Sequence, residues 1–200
     1  AAPSASPAGL EDVVAATSSI CFLDGKQGRL LYRGYDIHDL ADHASFEEVV
    51  YLLWHGDLPT KAQLAELNQS LAEKREIPEP VAKLLESLPK TATPMEVLRT
   101  VTSALSAYDP DGFRDNSIPA NVRKAERLTA QLPTITAYIK RLRAGEPLVH
   151  PRQTGTIAEN LLYMLFGQDA EELNNRTMNI ALILHADHEL NASTFAARVT

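Results

Sequence analysis

The chain has 200 residues, 44% hydrophobic and 22% charged, the proportions of a soluble globular protein long enough to bury a substantial core. A formal net charge of −7 argues against a dedicated nucleic-acid surface, and a single cysteine excludes both an intrachain disulfide and a cysteine-based zinc site. No apolar run approaches the ~20 residues of a membrane span, and a lone cysteine fits a reducing compartment, so a cytoplasmic protein is expected.

Residues 1–9 carry neither a basic nor an apolar signal region and read as a mobile tail. Two short apolar runs, 19–23 and 29–33, flank Asp24-Gly25-Lys-Gln-Gly28 and predict a β-hairpin. Beyond Gly34 and Asp36 the periodicity is helical. Ser45 and Glu48 form a capping box that opens a helix over 46–55, with Val49, Val50, Leu52, Leu53 and Trp54 expected to be buried. Gly56 suits the position after its last turn, and His55 the role of a partner for its C-terminus. Thr60 caps the next helix, which carries Leu64, Leu67 and Leu71 at helical spacing and stops before Pro78.

Pro80 can begin a short helix through Leu88. Thr93-Pro-Met-Glu96 is the strongest start signal, launching a helix over 95–108 that Asp109-Pro-Asp-Gly112 breaks. A long helix over 120–143 contains Pro133, which should kink it. Its basic residues (Arg123, Lys124, Arg127, Lys140, Arg141 and Arg143) read as a solvated face. Residues 156–166 form an apolar helix stopped by Gly167, and a last one starts near 169–171 and runs to the histidines. The reading is a mainly α fold of seven or eight helices with one hairpin, packed as a globular helical domain rather than a four-helix bundle.

The apolar run 180–184 leads directly into His185, Asp187, His188 and Glu189, followed by Asn191, Ser193 and Thr194. On a continuous helix His185 and His188 would share a face. Their spacing matches no zinc motif, and too few further ligands lie nearby for a metal site. Two readings stay open on the residues alone. The histidines with Asn191 and Ser193 can donate hydrogen bonds to an anionic oxygen, or they can simply close one helix and start the next. Other candidates are weaker. Lys26 lies in no phosphate-binding loop, and Cys21 has no histidine neighbour in sequence to activate it.

The run His185-Ala-Asp-His188-Glu-Leu-Asn-Ala-Ser-Thr-Phe closely resembles the first substrate-site segment of bacterial and archaeal citrate synthases. So do three earlier segments, in the same order: Ile20-Cys-Phe-Leu-Asp-Gly-Lys-Gln-Gly-Arg-Leu-Leu-Tyr-Arg-Gly-Tyr-Asp-Ile37, Phe46-Glu-Glu-Val-Val-Tyr-Leu-Leu-Trp-His-Gly-Asp-Leu-Pro59 and Pro94-Met-Glu-Val-Leu-Arg99. The resemblance implies the multi-helical large domain of that family, here over 10–200, with one short N-terminal β-hairpin. It also implies condensation of acetyl-CoA with oxaloacetate, without cofactor or metal, by a homodimer or a higher oligomer. His188 then matches the histidine that hydrogen-bonds oxaloacetate. Ser193 and Asn191 match pocket-supporting residues, and His185 lies beside them at the helix end. The segments carrying the family's catalytic histidine and aspartate, its later arginines and its small domain have no counterpart in these residues. They are expected beyond Thr200, leaving an amino-terminal half that is inactive alone. A 2-methylcitrate synthase, using propionyl-CoA, is the alternative activity. That relative tends to carry Tyr-Ala-Glu-His where this chain has His185-Ala-Asp-His188. A non-catalytic fragment keeping only a dimerisation surface is the other alternative.

Overall fold

A computed structural model describes residues 18–112, 114–190 and 192–199, so the expected tail at 1–9 lies outside the described residues. Strands β1 (Cys21–Asp24) and β2 (Arg29–Tyr32) pair antiparallel with Cys21 opposite Tyr32. Asp24 closes their turn by accepting from the backbone of Lys26 at 2.9 Å and of Gln27 at 3.1 Å. The expected hairpin gains a third strand, β3 (Tyr35–Asp36), with Tyr32 opposite Tyr35. Two residues are too few to show alternation. The reversal that makes them possible is the left-handed pair Arg33 (φ 51°) and Gly34 (φ 94°).

Nine helices follow among the described residues: α1 (Ile37–His43), α2 (Phe46–His55), α3 (Lys61–Glu73), α4 (Glu79–Ser87), α5 (Pro94–Leu105), α6 (Ile118–Ala144), α7 (Ile157–Phe166), α8 (Glu172–Leu184) and α9 (Ala192–Val199). Reciprocal capping boxes start four of them, at Ser45/Glu48, Thr60/Gln63, Thr93/Glu96 and Thr156/Glu159. Each satisfies backbone donors that the first turn would otherwise strand. α5 ends three residues sooner than the apolar pattern suggests, and Ser106–Tyr108 tighten into a 3-10 turn. Pro133 sits inside α6 without ending it.

The core has two main centres. One joins α4, α5 and α6 through Val81, Val101, Ile135 and Tyr138. The other joins the sheet, α1, α2 and the end of α8 through Tyr32, Leu40, Val49, Leu52 and Ile183. In α2, Val49, Val50 and Leu52 are buried as expected, whereas Leu53 and Trp54 are only half-buried. The α2 stripe is narrower than its composition because α3, α7 and α8 approach one side of it. His55 is exposed in the last turn, its ring 4.2 Å from that of Tyr51.

The basic residues of α6 are a solvated face only in part: Arg123 and Arg143 are exposed, whereas Arg127 and Arg141 turn inward. Arg127 is half-buried between Asp109 and Asp111, and Arg123 also pairs with Asp111. Arg141 is 7% exposed and donates to the carbonyls of Pro147, Met164 and Leu165. Arg143 donates to Lys90 and Ala92. The loops around α6 expose carbonyls and carboxylates inward, and arginine's planar fork can satisfy several at once.

A buried acid completes the fold. Glu47 is 2% exposed, and its Oε1 accepts from the backbone of Ile157 at 2.7 Å, at the start of α7. Burial pushes its carboxyl pKa up, opposed by the Ile157 N–H and Arg75. A carboxyl raised in the folded state gives its full contribution below the ordinary glutamate pKa and loses it as pH rises through the raised value. Glu47→Gln lacks that titration, so its melting temperature should improve relative to wild type from pH 4 to 7. Glu47→Ala orphans the Ile157 N–H and should cost about 2 kcal/mol. A pH-independent gap for Gln, or an unchanged melting temperature for Ala, would contradict this assignment.

Candidate active-site segment

α8 is apolar along one face, and its last turn carries Ile183 into the core against the sheet. The helix ends at Leu184, and His185 is its C-cap. The continuous helix on which His185 and His188 would share a face is therefore not formed. The chain tightens as His185 N–H bonds Leu182 and Ala186 N–H bonds Ile183, then leaves the helix. The His185 ring turns back, with Nδ1 2.7 Å from the Ala181 carbonyl, and stays exposed. It closes the helix, as one of the two open readings held.

His188 lies three residues further on in irregular chain, exposed, with no hydrogen bond from its ring to a described residue. Ser193 is exposed in the first turn of α9. Asn191 lies outside the described residues. A concave space of about 540 Å³ between α7 and α8 is lined by Leu162, Phe166, Met178 and Ala181, among others, and by neither His188 nor Ser193. His188 and Ser193 are thus two exposed points on one wall.

What holds that wall comes from the other end of the chain. Tyr32 on β2 is fully buried. Its hydroxyl proton is shared between the carbonyls of Ile183 at 3.1 Å and Asp187 at 3.0 Å, and its oxygen accepts from the Asp187 N–H at 3.3 Å. Across the hairpin the Cys21 thiol faces Asp187, and burial followed by that carboxylate pushes its pKa up to about 11. A thiol so raised is a poor nucleophile, in keeping with the sequence reading of Cys21. Asp187 also accepts from Glu189 N–H at 3.1 Å, holding Glu189 in the left-handed region at φ 59°. Sequence reasoning did not find Tyr32 or Cys21 at this site. More than 150 residues separate them from it, and nothing local marks the pairing.

Among the described residues no group of three or more His, Cys, Asp or Glu is placed to hold a metal ion. No described helix is long and apolar enough to cross a membrane.

Comparison with known proteins bears on this segment. The family model described as citrate synthase, C-terminal domain, matches residues 9–200. The chain is 46% identical over 195 residues to a citrate synthase of Haloferax volcanii, covering 96% of this chain and 52% of that protein. It is 41% identical over 197 residues to 2-methylcitrate synthase 1 of Corynebacterium glutamicum, covering 96% and 51%. The crystal structure of citrate synthase from Pyrobaculum aerophilum superposes with a TM-score of 0.88 at 39% identity, covering 98% of this chain and 52% of that one. The chain therefore spans about half the length of the relatives it matches. A family match across nearly all its residues, and a helical fold shared with solved members, establish that the chain belongs to the citrate synthase family.

Proposed function

We propose that the protein condenses acetyl-CoA with oxaloacetate and water to give citrate and CoA, the reaction that opens the tricarboxylic acid cycle. One observation carries this reading: an apolar helix ends at Leu184 and delivers His188, exposed, onto a loop held by hydrogen bonds from the buried Tyr32. In such a condensation the acetyl methyl loses a proton to a carboxylate, a neutral histidine stabilises the enol oxygen, and a second histidine polarises the ketone of oxaloacetate. His188 takes that second role. Its ring is unpaired among described residues, so it can donate to the ketone without first breaking a bond within the protein. Asn191 and Ser193 support the same pocket, and His185 closes the helix beside it. The catalytic base and the enol-stabilising histidine are assigned to no residue of this chain. We read residues 10–200 as part of the large helical domain of a cytoplasmic homodimer or higher oligomer, and acetyl-CoA as a co-substrate rather than a cofactor.

The second reading, a 2-methylcitrate synthase, draws on the 41% identity to such an enzyme. His185-Ala-Asp-His188 favours citrate. CoA release by the whole protein separates the two. Acetyl-CoA should exceed propionyl-CoA in kcat/KM by about tenfold or more, the discrimination one methylene allows. His188→Ala should lower kcat/KM for oxaloacetate about 100-fold, the usual effect of losing one donor to a developing oxyanion. The 200 residues alone should release no CoA. Faster turnover of propionyl-CoA would move the assignment to 2-methylcitrate, and an unaffected His188→Ala would remove His188 from the site.

A further inference from the structure

His188 is the one residue of its loop whose ring is free among the described residues while both its neighbours are tied down. On one side, Asp187 gives its carbonyl and its N–H to the Tyr32 hydroxyl at 3.0 and 3.3 Å. On the other, Glu189 is held at φ 59° by its N–H bond to the Asp187 carboxylate, which also faces the Cys21 thiol. The same Tyr32 hydroxyl reaches the Ile183 carbonyl in the last turn of α8. One buried oxygen thus fixes the helix end and the residue before His188 relative to each other. A left-handed non-glycine residue immediately after His188 persists only where its surroundings over-determine it.

We propose that Tyr32 is a positioning residue for oxaloacetate, acting through the backbone of Asp187 to aim His188. This rests on the assignment of His188 above. It makes the N-terminal hairpin, remote in sequence, part of the substrate-binding apparatus. The hydrogen bond His188 offers a ketone depends on direction as well as distance, so a loop released by about 1 Å loses much of it. The ring of Tyr32 fills the core beside Leu52 and Ile183, whereas its hydroxyl serves this loop.

The test is a double-mutant cycle in the whole protein, reading CoA release against oxaloacetate concentration at saturating acetyl-CoA. Tyr32→Phe keeps the ring and removes only the hydroxyl. It is expected to raise KM for oxaloacetate about tenfold, leaving KM for acetyl-CoA within twofold of wild type. In a His188→Ala background the same change should have less than a twofold effect, because the residue it aims is gone. Equal losses in both backgrounds would mean a general structural role and overturn the proposal, as would no loss from Tyr32→Phe alone. If His188→Ala itself leaves oxaloacetate kinetics unchanged, the His188 assignment fails first and this proposal falls with it. Should Tyr32→Phe not fold, 4-fluorophenylalanine incorporated at position 32, which fills the space of the hydroxyl without its donor, enters the same cycle with the same expected pattern.

Discussion

Replacing Arg75 with leucine is expected to destabilise the protein by about 4 kcal/mol. Arg75 follows the last turn of α3 and is 4% exposed. Its guanidinium donates to the carbonyls of Arg152 at 2.7 Å, Thr154 at 2.9 Å and Gly155 at 2.6 Å. Its own carbonyl accepts from Thr134 Oγ1 of α6 at 2.8 Å. The stretch before α7 has no regular partners, so its inward carbonyls depend on side chains. Asn160 supplies a second set, accepting from Arg152 N–H and donating to the Arg152 and Thr154 carbonyls. The Gly155 carbonyl has Arg75 alone among these. Gly155 itself sits at φ 76° with the Glu159 carboxylate 2.7 Å from where a Cβ would be, so any side chain there would be strained.

Burial pushes the Arg75 pKa down, and Glu47 and Glu159 pull it back up. Removing the cation would also leave Glu47 without its compensating charge in the interior. Arg75→Lys keeps the charge but cannot span three carbonyls, so about half the loss should remain. The measurement is the denaturant midpoint of the two variants against wild type. A leucine variant within about 1 kcal/mol of wild type would show that the loop is held by Asn160 alone.

Arg75 also marks the boundary of what the sequence could show. Capping boxes at Ser45/Glu48 and Thr93/Glu96 are legible because donor and acceptor lie three residues apart. The hairpin is legible because its turn residues and both strands fall within fifteen residues. The Thr156/Glu159 box has the same three-residue spacing. Arg75 meets Gly155 across 80 residues, and Tyr32 meets Asp187 across 155. No periodicity records such pairings. The same limit explains the basic stripe of α6, since composition shows its charge but not the carbonyls of Pro147, Met164 and Leu165 that face Arg141. At the histidine segment, residue types pointed to the place. The end of α8 at Leu184, which separates His185 from His188, needed the fold.

That helix end is where stability and the proposed site meet, and Ile183→Ala should expose the connection. Ile183 is fully buried among Tyr32, Leu40, Val49 and Leu52. One turn earlier on the same face, Asn179 bonds the N–H of Phe46 at 2.8 Å and the carbonyl of Ala44 at 3.1 Å. These two contacts seat α8 on α1 and α2. Truncating Ile183 removes buried carbon and leaves a cavity in surroundings that the hairpin and Asn179 prevent from collapsing, an expected loss of about 3 kcal/mol. Ile183→Val should cost about 1 kcal/mol, because most of the volume is kept. The Ile183 carbonyl shares the Tyr32 hydroxyl with Asp187, so a last turn that rocks into the cavity also disturbs the His188 loop. Loss of stability and weaker oxaloacetate binding should therefore appear together in Ile183→Ala and be small together in Ile183→Val. An alanine variant that melts several degrees lower yet binds oxaloacetate like wild type would mean that α8 and the loop move independently, and that the shared hydroxyl transmits nothing between them.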